Sequence, residues 1–270
     1  MAENGAHGAP GGVARGATIY AIMLGVTTVE GQRGTRGGTF TLLTPDNRYV
    51  SRLPNLPGAK LFKLVTPRLA PARFAEYLVA APAQGVSWTV VPGYEHFLFG
   101  RSGGATIRAG DAVHALDGDG FALLPATLEF SVDAQGDSEV IWLKRKYEAW
   151  PGLSAPSALF GRLDEVPPTE TAVPGLTRQE LIDPADPAYD FNVSLMSFEP
   201  EVALHQIEIH DEEHGLYMIS GDGDYHLDGG QYPVQSDDFI YMAPYCPQGF
   251  RAGPDGAAYL LYKDVYRDGF

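Results

Sequence analysis

Three side chains able to hold a metal ion stand within seven positions of one another: Glu208, His210 and His214, in IEIHDEEHG at 207–215. One carboxylate and two imidazoles make a mixed oxygen and nitrogen donor set. Taken alone, the string reads equally as a solvated acidic turn, so its meaning rests on the elements that carry it. On an extended chain side chains alternate between two faces, and Glu208 and His210 then point the same way. Asp211, Glu212 and Glu213 make a tight connection, and His214 opens a following strand expected to pair beside the first. All three donors would then face one interior.

The rest of the chain favours an enzyme acting on a small molecule. Its 270 residues allow one large domain or two small ones. With 44% hydrophobic and 20% charged residues it can bury a real core. A net charge of −15 makes a nucleic-acid backbone or an anionic membrane a poor partner, although acidity also serves solubility. The single cysteine, Cys246, allows no intrachain disulfide; it reads as a small buried hydrophobe, and a reducing, cytoplasmic location is expected. Ala17–Val26 is apolar and follows Arg15, but ten residues are too few to span a bilayer, and no small-residue cleavage site follows. It reads as a strand or arm behind a disordered Gly- and Ala-rich tail, residues 1–16.

Strand-like runs recur at Thr39–Thr44, Phe74–Ala80, Phe97–Gly100, Phe121–Leu124, Phe191–Phe198, His214–Ser220, Phe239–Met242 and Tyr259–Lys263. Gly, Asp and Pro punctuate them, which is the rhythm of an all-β sandwich or barrel. The halves also repeat. Glu95-His96 before FLFGRSG lies 118 residues ahead of Glu213-His214 before GLYMISG, and FAEYLV, DGFALLP and IWLKRKYE find partners at nearly the same offset. Several weak matches at one offset imply two copies of one β-domain. The layout is that of a bicupin, two tandem antiparallel jelly-roll barrels. The expected division is a tail and arm at 1–37, a first cupin at 38–150, a linker at 151–180 and a second cupin at 181–270.

A jelly roll supplies a fourth ligand from its second block, and four residues after Pro244 stands Gln248. The expected set is therefore Glu208, His210, His214 and Gln248. The lack of a thiolate argues against a structural zinc site; with two octahedral positions left open the set suits Mn(II) or Fe(II). In the first half His96 remains, but Pro92 and Val90 replace the second histidine and the glutamate, and Glu129 stands in place of the glutamine. That half is expected to be metal-free.

The chain resembles the (S)-ureidoglycine aminohydrolase family of bicupins over most of residues 38–270. The resemblance is carried by GTFTLLTPDNRYV (38–50), EHFLF (95–99), KRKY (144–147), IEIHDEEHG, GDYHLDGGQYPVQSDDFIYMAPYCPQ (223–248) and YLLYKDVYRD (259–268). Residues 1–37 depart from the family's usual arm. The resemblance implies hydrolysis of (S)-ureidoglycine to (S)-ureidoglycolate and ammonia in purine catabolism. It implies one Mn(II) per chain on the four residues named above. It places Tyr225, Tyr259 and Lys263 where the family contacts substrate, with Lys263 holding a carboxylate or moving a proton. A homo-oligomer is expected, since bicupins pack through edge strands. The rival readings are another metal cupin, a dioxygenase or isomerase, against which the fourth ligand Gln248 argues, and a non-catalytic ligand-binding bicupin.

Overall fold

Short runs of β-branched and aromatic residues bounded by glycine favour strands over helices, and the described residues fold as three antiparallel sheets. The computed structural model describes residues 33–265 together with Met1 and Arg267; the N-terminal tail and the arm read at Ala17–Val26 lie outside these residues. Among the described residues helix is confined to two 3-10 turns, Pro45–Asn47 and Leu163–Glu165, and no helix is long and apolar enough to cross a membrane. Seven of the eight runs read as strands form one or lie within one, and the eighth, Thr39–Thr44, contains the strand Phe40–Leu43.

The first half pairs a seven-stranded sheet with a four-stranded one. The larger sheet runs Leu159–Arg162, Gly120–Leu124, Glu95–Ser102, Glu139–Arg145, Phe74–Ala80, Lys60–Val65, Val50–Ser51. The smaller runs Val86–Val90, Phe130–Ala134, Ala105–Ala109, Ala112–Leu116. Between them Trp88, Ile107, Phe130 and Val132 pack on Leu98, Leu124, Val140 and Trp142. The second half is one nine-stranded sheet in the order Thr35–Arg36, Phe40–Leu43, Phe239–Met242, His214–Leu227, Gln248–Asp264, Phe191–Phe198, Leu176–Glu180, Thr169–Glu170, with Gly230–Gln235 added to His214–Leu227. No sheet closes its hydrogen bonding into a ring. The architecture is all-β, a bicupin of two tandem jelly rolls.

The halves exchange strands. Phe40–Leu43, early in the chain, pairs with Phe239–Met242, while Leu159–Arg162, from the segment read as a linker, pairs with Gly120–Leu124. The repeat seen in the sequence recurs in the register: His96 lies opposite Lys144 and Leu124, and His214 opposite Lys263 and Met242.

The central strands are apolar along their whole length because both faces are buried. Leu216 and Met218 point into the second jelly roll, and Tyr217 between them points to the core shared by the halves. Leu260 and Tyr262 likewise face that shared core, against Phe74, Phe97, Ile141 and Phe191. The opposite face of the same strand, Tyr259, Leu261 and Lys263, is thereby turned toward a cavity.

Candidate metal and substrate site

Glu208 and His210 are half-buried, whereas Ile207 and Ile209 are 47% and 61% exposed. The alternation expected of an extended chain therefore holds, and the acidic connection leads to His214 at the start of its strand. The pairing differs from expectation. The Glu208 segment does not lie beside the His214 strand. It bridges to Gln248, with Glu208 N–H donating to Gln248 O at 2.8 Å and Gln248 N–H donating to Glu208 O at 3.0 Å. A bridge to the strand of the fourth residue brings the two sequence blocks together directly.

A cavity of about 450 Å³ is lined by all seven residues singled out in the sequence: Glu208, His210, His214, Tyr225, Gln248, Tyr259 and Lys263. Asn192, Ser194, Met196, Leu261, Arg178 and Glu180 complete much of its wall. Gln248 joins the two imidazoles. Its Oε1 lies 3.2 Å from His214 Nδ1 and its Nε2 lies 3.1 Å from His210 Nε2, and the rings are 4.8 Å apart between centroids. With neutral rings, His214 Nδ1–H donates to the amide oxygen and the amide N–H donates to His210 Nε2. Burial, then the charges of His210 and Lys263, push His214 down to about 3, so it is neutral at physiological pH. Its Nε2 is buried without a hydrogen-bond partner, an atom of the kind a bound cation satisfies.

These donors suit a divalent cation: two imidazoles joined through one amide, with His214 Nε2 buried and unpartnered beside them. Glu208 also lines the cavity, where its charge, after burial, helps hold the Tyr259 hydroxyl above its usual range. Among the described residues no three His, Cys, Asp or Glu side chains form a closed cluster by themselves.

Tyr225 and Tyr259 are fully buried, and burial first of all raises both hydroxyls, which stay protonated as donors. Lys263 is not free on the wall: its Nζ lies 3.0 Å from Glu212 Oε1. Glu212 was read only as part of a connection. Its other oxygen, Oε2, lies 2.8 Å from His210 Nδ1, short in distance though out of line with the ring N–H. Burial raises the Glu212 carboxyl, but the hydrogen bond and charge of Lys263 outweigh it and leave it lowered. The spacing of Glu212, two residues past His210, carries no signal by itself, since its partner Lys263 comes from a distant strand.

Glu213 turns the other way. Its carboxylate accepts from Arg73 N–H at 3.0 and 3.2 Å and from Tyr241 O–H at 3.1 Å, and its own N–H donates to Asp264 Oδ1 at 2.7 Å. Burial and then Asp264 push this carboxyl up to about 7. At the equivalent position in the first half, His96 is packed among aromatic rings. Trp142 Nε1–H donates to His96 Nδ1 at 3.0 Å, and Phe130 packs edge-on against the ring at 5.2 Å.

No family model matches the chain. Among curated proteins it is 34% identical over 229 residues to the probable (S)-ureidoglycine aminohydrolase of Oryza sativa subsp. japonica, covering 84% of this chain and 73% of that protein. It is 34% identical over 239 residues to the (S)-ureidoglycine aminohydrolase of Escherichia coli K12, covering 86% and 90%. Among solved structures it superposes on protein Ylba from E. coli with a TM-score of 0.77 at 30% identity, covering 86% of this chain and 93% of that one. At 14% identity, a likeness of fold alone, it superposes on oxalate decarboxylase from Bacillus subtilis, a protein with Mn(II) centres, with a TM-score of 0.65 over 98% and 88% of the two chains. With more than two thirds of curated relatives covered at over 30% identity, the chain belongs to the (S)-ureidoglycine aminohydrolase family.

Proposed function

We propose that this protein hydrolyses (S)-ureidoglycine to (S)-ureidoglycolate and ammonia. Water supplies the new C–O bond, and the C–N bond to the amine breaks. The observation that carries the reading is the convergence of His210, His214 and Gln248 in one cavity with Lys263, Tyr225 and Tyr259, in a chain of this family. Glu208, His210, His214 and Gln248 are the residues that would hold a divalent ion, Mn(II) in this reading. Bound there, it would supply Lewis acidity toward the amine or toward water.

The chain's own groups divide the remaining work. The Lys263 ammonium offers a charge-assisted contact to the substrate carboxylate or a proton to the departing nitrogen. The Tyr225 and Tyr259 hydroxyls, held protonated by burial, donate hydrogen bonds to carboxylate or ureido oxygens. Leu261 and Met196 add apolar surface to a wall otherwise lined by Asn192, Ser194, Arg178 and Glu180. The same reading takes the protein as a cytoplasmic homo-oligomer with one metal-bearing half.

The test is ammonia release by Mn(II)-loaded protein from fresh (S)- and (R)-ureidoglycine, with spontaneous decay subtracted. A site that fixes carboxylate, amine and ureido group separately should turn over one hand. Equal rates from both, or none above decay, would defeat the assignment.

A further inference from the structure

The two oxygens of Glu212 meet two different residues of the cavity wall, Oε2 at 2.8 Å from His210 Nδ1 and Oε1 at 3.0 Å from Lys263 Nζ. A solvated connector residue would have no reason to commit both. Its backbone is held in place from the next position, because Glu213 is buried and bonded to Arg73, Tyr241 and Asp264. Consecutive carboxylates thus face opposite ways, one toward the core shared by the halves and one against His210 and Lys263 of the cavity wall.

We propose that Glu212 is a positioning residue acting through both neighbours. One oxygen keeps the His210 proton on Nδ1, so that Nε2 offers its lone pair to the cavity. The other keeps the Lys263 ammonium at a set place on the wall. An oxygen 2.8 Å from an unprotonated ring nitrogen would repel its lone pair, so the contact favours the Nδ1–H tautomer even out of line. Gln248 agrees from the other side, since its amide N–H can donate to His210 Nε2 only if that atom is unprotonated. Carboxylates that orient a ligating imidazole in this way raise its basicity and fix its ring. The metal consequence rests on the function proposed above; the tautomer does not.

The test uses the full chain, stripped of metal by chelation, with isotope-labelled histidine ring nitrogens observed by NMR and His210 assigned by the signal lost in His210→Ala. The unmodified chain should show the His210 proton on Nδ1. Glu212→Leu should move it to Nε2 or to a mixture, and Glu212→Gln, whose amide oxygen still accepts, should leave it on Nδ1. A proton on Nε2 in the unmodified chain, or an unchanged tautomer in Glu212→Leu, overturns the proposal. Titration with Mn(II) should show Glu212→Leu weakened about 10- to 100-fold and Glu212→Gln weakened less. Equal affinity in all three overturns the metal arm. Should Glu212→Leu fail to fold, the lysine arm remains: Lys263→Met should cost less kcat/KM in a Glu212→Gln background than in the unmodified chain, and an equal cost overturns it. If the unmodified protein releases no ammonia from ureidoglycine, the function fails while the tautomer result stands.

Discussion

Glu208 and Gln248, forty positions apart in the chain, exchange two backbone hydrogen bonds of 2.8 and 3.0 Å. This bridge fixes the relative height of the segment carrying Glu208 and His210 and the strand that begins at Gln248. Beside it the Gln248 amide reaches both imidazoles.

From this follows a metal prediction. The protein should retain about one divalent ion per chain, and His210→Ala or His214→Ala should abolish retention while leaving the fold intact, because the jelly roll has its own core. Elemental analysis after gel filtration reads this directly. Two ions per chain, or undiminished metal in His210→Ala, would be the contrary result.

Lys263→Met keeps most of the stem and removes the charge. Folding and metal content should be normal, and kcat/KM should fall about 100-fold or more, as expected for loss of a charge-assisted contact or a proton donor. A change confined to KM would assign the lysine to the substrate carboxylate, and a fall in kcat to the chemical step. Full activity would reduce Lys263 to a structural partner of Glu212.

Gly215 follows His214 and faces the first half. A Cβ there would stand 2.7 Å from Glu76 Oε2 and 2.7–2.8 Å from the Phe74 ring, contacts that force a shift. Gly215→Ala should therefore cost about 1–3 kcal/mol of stability. It should also weaken Mn(II) binding through the adjoining His214. Urea unfolding and metal titration of the same preparation separate the two effects, and unchanged stability would show that the interface yields freely.

Glu76 is almost fully buried, and burial drives its carboxyl up to about 8 against a lowering charge from Arg48. The folded chain keeps this proton where the unfolded chain, at an ordinary 4.5, has released it. Stability from Glu76 is thus fully present below about 4.5 and lost as pH rises toward about 8, by up to about 1.4 kcal/mol per pH unit. His96 acts at the acid end: burial, and then the charge of Lys144, lower it to about 3, so stability is lost as pH falls from 6.5 toward that value. Glu76→Gln should reduce, without abolishing, the loss of stability as pH rises toward about 8, since the Glu213 carboxyl at about 7 acts in the same direction. Denaturant melts from pH 5 to 9 check this, and an unaltered alkaline slope would place its source elsewhere.

By itself the sequence determined what depends on local pattern. Alternation along IEIHD put Glu208 and His210 on one face, punctuation by glycine and proline marked the strands, and the 118-residue offset revealed two jelly rolls. The alternation of Tyr259, Leu261 and Lys263 against Leu260 and Tyr262 was legible for the same reason, because a strand with two buried faces still separates its odd and even residues. Only the tertiary structure decided which strands meet. It paired the Glu208 segment with Gln248 instead of with the His214 strand, and sent Phe40–Leu43 and Leu159–Arg162 to opposite halves. It also turned Glu212 against His210 and Lys263 and Glu213 toward Arg73 and Tyr241, though the two are chemically identical neighbours. Partner choice and the direction of an adjacent carboxylate are set by what surrounds them from distant parts of the chain: Lys263 and His210 offer charge and hydrogen bonding on one side, Arg73 and Tyr241 on the other. No spacing rule within five residues encodes that difference.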